Sequence, residues 1–88
     1  MVQKRFIITG RVQGVGFRQF TLTRARQIGV SGYVRNLPDG SVECVASGSE
    51  AQITALVSAL RRGPPGSDVD FISESGASLP STGGFQIR

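Results

Sequence analysis

The stretch Gly10-Arg11-Val12-Gln13-Gly14-Val15-Gly16-Phe17-Arg18 most constrains what this chain can fold into. It follows the apolar run Phe6-Ile7-Ile8-Thr9, which reads as a strand. It leads into Phe17, Phe20, Thr21, Arg24, Ala25 and Ile28, whose spacing of three and four predicts a helix. Three glycines crowd this strand-to-helix junction, and glycine tolerates positive φ and lets the backbone approach other groups closely. Consecutive N–H groups turned inward form a concave, partly positive nest, and a helix N-terminus beside it adds its dipole. Such a loop suits an anion, above all a phosphate. Arg18 adds a permanently charged planar fork that matches phosphate oxygens two at a time. On spacing alone, an ordinary glycine-rich turn remains an equal reading.

Two common phosphate patterns do not fit. A P-loop needs a lysine after its second glycine, and none lies here. A dinucleotide fingerprint needs a third glycine where Gln19 sits. Gly14-Val15-Gly16-Phe17-Arg18-Gln19-Phe20 imitates the aromatic strand motif of RNA-recognition modules. That motif lies on a third strand, whereas only nine residues precede Gly10.

A length of 88 residues sets one domain, 1–88, that must build its core from two packed layers. Ten basic against six acidic residues give a net charge of +4, which favours an anionic ligand without choosing among nucleic acid, acidic membrane and phosphorylated metabolite. The basic residues are scattered, with Arg61-Arg62 the longest run, which argues against a dedicated nucleic-acid patch. Cys44 is the single cysteine, so no disulfide forms within the chain and a reducing cytoplasm is expected. It reads as a small mid-strand packing residue. The absence of histidine removes the commonest acid–base catalyst and the commonest metal ligand. The apolar stretch after Lys4-Arg5 is too short for a signal peptide, and no segment approaches the length of a membrane span.

Further elements follow in order. A strand is expected over 3–11 and a helix over 18–28, ended by Gly29 as a C-terminal cap. A strand over 30–36 turns through Leu37-Pro38-Asp39-Gly40 into another over 41–46, making an antiparallel hairpin. Ser49 and Gln52 form a capping box for a second helix, whose stripe is Ile53, Leu56, Val57 and Leu60, and Gly63-Pro64-Pro65-Gly66 ends it. A strand over 69–73 should carry Val69 and Phe71 on one face. A polar loop over 75–84 and a short strand over 85–87 complete the chain. The order β-α-β-β-α-β predicts a ferredoxin-like α/β (α+β) sandwich: an antiparallel sheet of four to five strands with both helices on one face.

The order of residues says more than their spacing. Gly10-x-Val12-Gln13-Gly14-Val15-x-Phe17-Arg18 resembles the first signature of the acylphosphatase family. Gly32-Tyr33-Val34-Arg35-Asn36-Leu37-Pro38-Asp39-Gly40-Ser41-Val42-Glu43 resembles the second. Phe85-Gln86-Ile87 is similar to the family's last strand, so the resemblance spans essentially the whole chain. Tyr33 stands where tryptophan is more usual, and Ser67 where a small apolar residue is commoner.

The resemblance implies hydrolysis of a carboxyl-phosphate anhydride to a carboxylate and inorganic phosphate, with no metal and no other cofactor. It implies a phosphate-binding loop of Gln13, Gly14, Val15, Gly16, Phe17 and Arg18, and two catalytic residues, Arg18 for the phosphate and Asn36 for the water. An amide accepts from water and donates to phosphate but is no proton sink, so the substrate's own phosphate is expected to take the proton. Arg35 points away from Asn36 in a regular strand and reads as a solvated or structural charge. Asp39 and Glu43 read as turn and sheet-surface residues. The expected partners are a small-molecule acyl phosphate and its phosphate product, with no nucleic acid and no membrane, for a cytoplasmic monomer. The alternative is a non-catalytic anion or nucleic-acid binding module on the same fold, with salt-sensitive binding and no turnover. A similar motif occurs in the N-terminal domain of larger carbamoyl-transfer proteins. Met1 and the final strand ending at Arg88 favour a complete small domain.

Overall fold

Phe6 and Ile8 lie on one side of an extended chain, and both are fully buried. They belong to β1 (Val2–Arg11), the first strand of a computed structural model that describes residues 1–78 and 83–88. The remaining elements are α1 (Phe17–Ile28), β2 (Ser31–Asn36), β3 (Val42–Gly48), α2 (Glu50–Arg62), β4 (Asp68–Gly76) and β5 (Phe85–Ile87). The strand order is β4-β1-β3-β2-β5. The helices pack side by side on one face, α1 over β2 and β5, α2 against β1, β3 and β4. The ferredoxin-like βαββαβ arrangement is thus present, with a fifth strand added.

Local signals hold where they are strong. Ser49 Oγ accepts from Gln52 N at 3.1 Å, and the Gln52 side chain accepts from Ser49 N at 2.8 Å, completing the capping box. Ile53, Leu56 and Leu60 are buried beneath α2, and Val57 packs at the edge of the same core. Truncating such a fully buried leucine to alanine costs about 2–5 kcal/mol. In the β2–β3 hairpin, Gly40 N donates to Leu37 O at 3.2 Å and Leu37 N to Ser41 O at 2.9 Å. Asp39 Oδ1 accepts from both the N–H and the hydroxyl of Ser41, at 2.9 and 2.6 Å, so Asp39 is the turn residue expected. Ser67 also finds a local role, its hydroxyl donating to Pro64 O at 2.6 Å.

Three expectations are corrected. The sheet is mixed, because β5 runs parallel to β2, with Gly32 opposite Phe85 and Val34 opposite Ile87. Three residues carry no turn signal for direction. Tertiary contacts set it: Phe85 is buried in the core, Arg26 donates to Phe85 O at 3.3 Å, and Arg88 N donates to Val34 O at 2.8 Å. Strand β4 is longer than 69–73, reaching Gly76 because Ser73-Glu74-Ser75 pair along β1 despite lacking strand-forming side chains. The 75–84 loop therefore starts later, and its positions 79–82 lie outside the described residues.

The third correction concerns the face of Phe71. Thr9 pairs with Phe71 and Gly10 with Val69, which leaves Asp70 as a bulge. The extra residue shifts the alternation, so Val69 and Ile72 reach the core while Phe71 is 64% exposed. Gly10, at φ 121°, permits this crossing, since a Cβ there would strike the Asp68 backbone. No helix among the described residues is long and apolar enough to cross a membrane.

Candidate active site

The loop between β1 and α1 takes the shape its glycines allow. Gly14 and Gly16 have φ of 74° and 79°, in the left-handed region, and a Cβ at either would meet nothing within 4 Å. Their requirement is conformational, not spatial. Gly16 caps α1 without any side-chain hydrogen bond, and the first turn carries no acidic residue. The first-turn amides thus remain open donors. Phe17 anchors this end, its ring buried and 6.2 Å from that of Phe20.

A cavity of about 260 Å³ opens at this end of the helix, lined by Val12, Gly14, Gly16, Phe17, Arg18, Gln19, Asn36 and Ile87. Arg18 and Asn36, far apart in sequence, meet on its wall. Arg18 is exposed and makes no ion pair or hydrogen bond among the described residues. The Oδ1 of Asn36 is buried without a hydrogen-bond partner, and it is the only buried side-chain oxygen or nitrogen so placed among the described residues. Of the loop residues, Gly14, Gly16, Phe17 and Arg18 line the cavity, whereas Gln13 and Val15 do not. Val15 packs at the core's edge. Gln13 turns its amide to the hairpin, donating to Leu37 O at 2.8 Å and Ser41 O at 2.9 Å.

The neighbours of Asn36 face other duties. Arg35 and Arg5 each donate to Glu43 at 2.6 Å. Glu43 is therefore not a sheet-surface residue but a nearly inaccessible carboxylate, and its two cations make that burial tolerable. Burial pushes its carboxyl up, yet hydrogen bonds from Arg35, Arg5 and Tyr33 outweigh burial and hold it below the ordinary value. Arg88 lies over the Tyr33 ring at 4.1 Å. Cys44 is fully buried, and desolvation followed by the Glu43 charge pushes its thiol up to about 12, which suits packing and not nucleophilic attack. Among the described residues no three His, Cys, Asp or Glu side chains converge as metal ligands.

Sequence reasoning missed Val12, Gln19 and Ile87 as lining residues, and it missed the tie made by the Gln13 side chain. Ile87 gave no signal, because a terminal strand's neighbours are set by tertiary pairing.

This architecture defines a ferredoxin-like α/β sandwich with a strand–loop–helix pocket. The chain belongs to the acylphosphatase family, whose Acylphosphatase model matches residues 4–87. It is 52% identical over 89 residues to an acylphosphatase of Actinobacillus pleuropneumoniae serotype 5b, covering 100% of this chain and 99% of that one. The crystal structure of acylphosphatase from Bacillus subtilis superposes with a TM-score of 0.96 at 42% identity, covering 100% and 99% of the two chains. HypF of T. kodakarensis contains a similar unit, with a TM-score of 0.85 and 34% identity, covering 99% of this chain but 12% of that one. The activity is that of an acylphosphatase, a hydrolase acting on a small-molecule acyl phosphate.

Proposed function

We propose that Arg18 and the amides around Gly14 to Arg18 hold the phosphoryl group, while Asn36 orients the attacking water. The observation that carries this reading is the buried, unpartnered Oδ1 of Asn36 beside the same cavity as Arg18. A buried acceptor without a donor costs about 1–3 kcal/mol, and a turn of the carboxamide that brings Oδ1 to the cavity lets a bound water supply the missing donor. The water oxygen attacks phosphorus as the bond from phosphorus to the acyl oxygen breaks. The electron pair leaves on the carboxylate, and a phosphate oxygen takes the water's proton. A carboxylate leaves without protonation, so the protein's work is positioning and charge neutralisation. The guanidinium fork and the helix-start amides do the second, Asn36 the first. We read residues 1–88 as one domain that works as a cytoplasmic monomer on its small substrate without nucleic acid. The single core beneath one sheet and the free, buried Cys44 support this reading.

The test is Asn36→Ala, with competitive inhibition by inorganic phosphate measured in parallel. The expected variant binds phosphate normally and turns over very slowly, so kcat falls far more than affinity. A folded variant with full turnover overturns the role of Asn36. One that loses phosphate as completely as an Arg18 variant puts Asn36 in the phosphate cradle instead.

A further inference from the structure

Gln13 belongs to the loop before α1, yet its side chain leaves the cavity and grips the hairpin. The Nε2 group has two N–H donors, and each is spent on one carbonyl, Leu37 O and Ser41 O, at the two ends of the turn. Neither carbonyl depends on it. Leu37 O already accepts from Gly40 N, and Ser41 O from Leu37 N. Gln13 thus occupies second lone pairs and rescues no orphaned group, so satisfying the hairpin does not explain it. No other hydrogen bond among the described residues joins the 12–16 segment to the hairpin. The hairpin tip is itself a fixed unit, closed by its two backbone bonds and by Asp39 on Ser41. Asn36 is the residue immediately before Leu37.

We infer that Gln13 is a positioning residue: its carboxamide sets the distance between the phosphate cradle and Asn36. The inference rests on the roles proposed above for Arg18 and Asn36. One end of the tie is the loop that holds phosphorus, and the other is the carbonyl next to the residue that holds the water. Without the tie, cradle and hairpin keep their own internal bonds but drift relative to each other. A displacement of about 1 Å between reacting groups is enough to cost up to about a hundredfold in rate.

The experiment is a double-mutant cycle on kcat and on inhibition by inorganic phosphate, with melting curves for every variant. Gln13→Met keeps the length of the side chain and removes both donors. Its kcat is expected to fall at least about tenfold while KM and phosphate inhibition stay within about twofold. In an Asn36→Ala background the same substitution is expected to change kcat by less than about twofold, because the residue it positions is gone. Gln13→Glu supplies a second reading. Ionised, it sets oxygen against two carbonyl oxygens; protonated, it donates once, so its kcat relative to Gln13→Met should rise as pH falls through its carboxyl's titration, which the part-buried site and the two carbonyl oxygens lift above the ordinary glutamate value. Unchanged kcat in Gln13→Met, phosphate affinity falling with kcat, or a full additive loss on top of a slow Asn36→Ala each overturns the inference alone. Normal turnover by Asn36→Ala overturns the parent reading and this one with it.

Discussion

Arg35 Nε donates to Glu43 Oε1 at 2.6 Å, and cross-strand pairing sets the two residues directly opposite each other. Val42 and Cys44, on either side of Glu43, belong to the core beneath the helices. Glu43 and Arg35 therefore lie on the other sheet face, and Asn36 on the helix side. One strand thus serves structure with residue 35 and the cavity with residue 36.

Acid stability should depend on Glu43. Its folded pKa is depressed, so the stability it gives is present above the ordinary glutamate value of 4.5 and is lost as pH falls through the lower folded value. Wild-type Tm should drop steeply below about pH 4.5. Glu43→Gln should start from a lower Tm at neutral pH and lose less in that acid window. Parallel Tm-versus-pH curves would contradict the assignment.

Arg18→Lys keeps the charge and discards the fork. Loss of one preorganised electrostatic contact costs about 3–4 kcal/mol, or two to three decades in kcat/KM. Phosphate inhibition should weaken as well. A folded Arg18→Lys enzyme with near-normal kinetics and phosphate binding would remove Arg18 from the site.

Turnover should be indifferent to chelators. The chain has no histidine, and its acidic side chains do not converge among the described residues. Activity is expected to be equal with and without EDTA; restoration by a divalent cation after a chelator-induced loss would refute this.

Cys44 should report global unfolding. Its thiol is buried and pushed up to about 12, so thiolate is scarce in the native state. Labelling by a thiol reagent at neutral pH should track the unfolding rate or population measured in denaturant. Rapid labelling of the folded protein would show a local opening of β3.

What was legible in the sequence was what is local. The Ser49–Gln52 box, the Gly29 cap and the left-handed glycines at 14 and 16 depend on residues within a few positions of one another. Asn36 was legible only through residue order, since a strand-end asparagine is otherwise an ordinary turn residue. The Asp70 bulge, the parallel docking of β5 and the partners of Gln13, 24 and 28 residues away, arise from pairing between distant segments. No periodicity encodes them. Glu43 was misplaced for the same reason: its burial depends on Arg5, contributed by a strand 38 residues earlier.

Ile87, 37% exposed on β5, completes the cavity wall that Arg18 and Asn36 begin. On the ribosome these contributions arrive at different times. At elongation rates of about 5–20 residues per second, residue 87 follows residue 36 by roughly 3–10 s. The loop and the hairpin are thus synthesised well before the residue that closes the cavity wall. A nascent chain can hold both polar residues and still present an open trough, and a finished cavity must await the last strand.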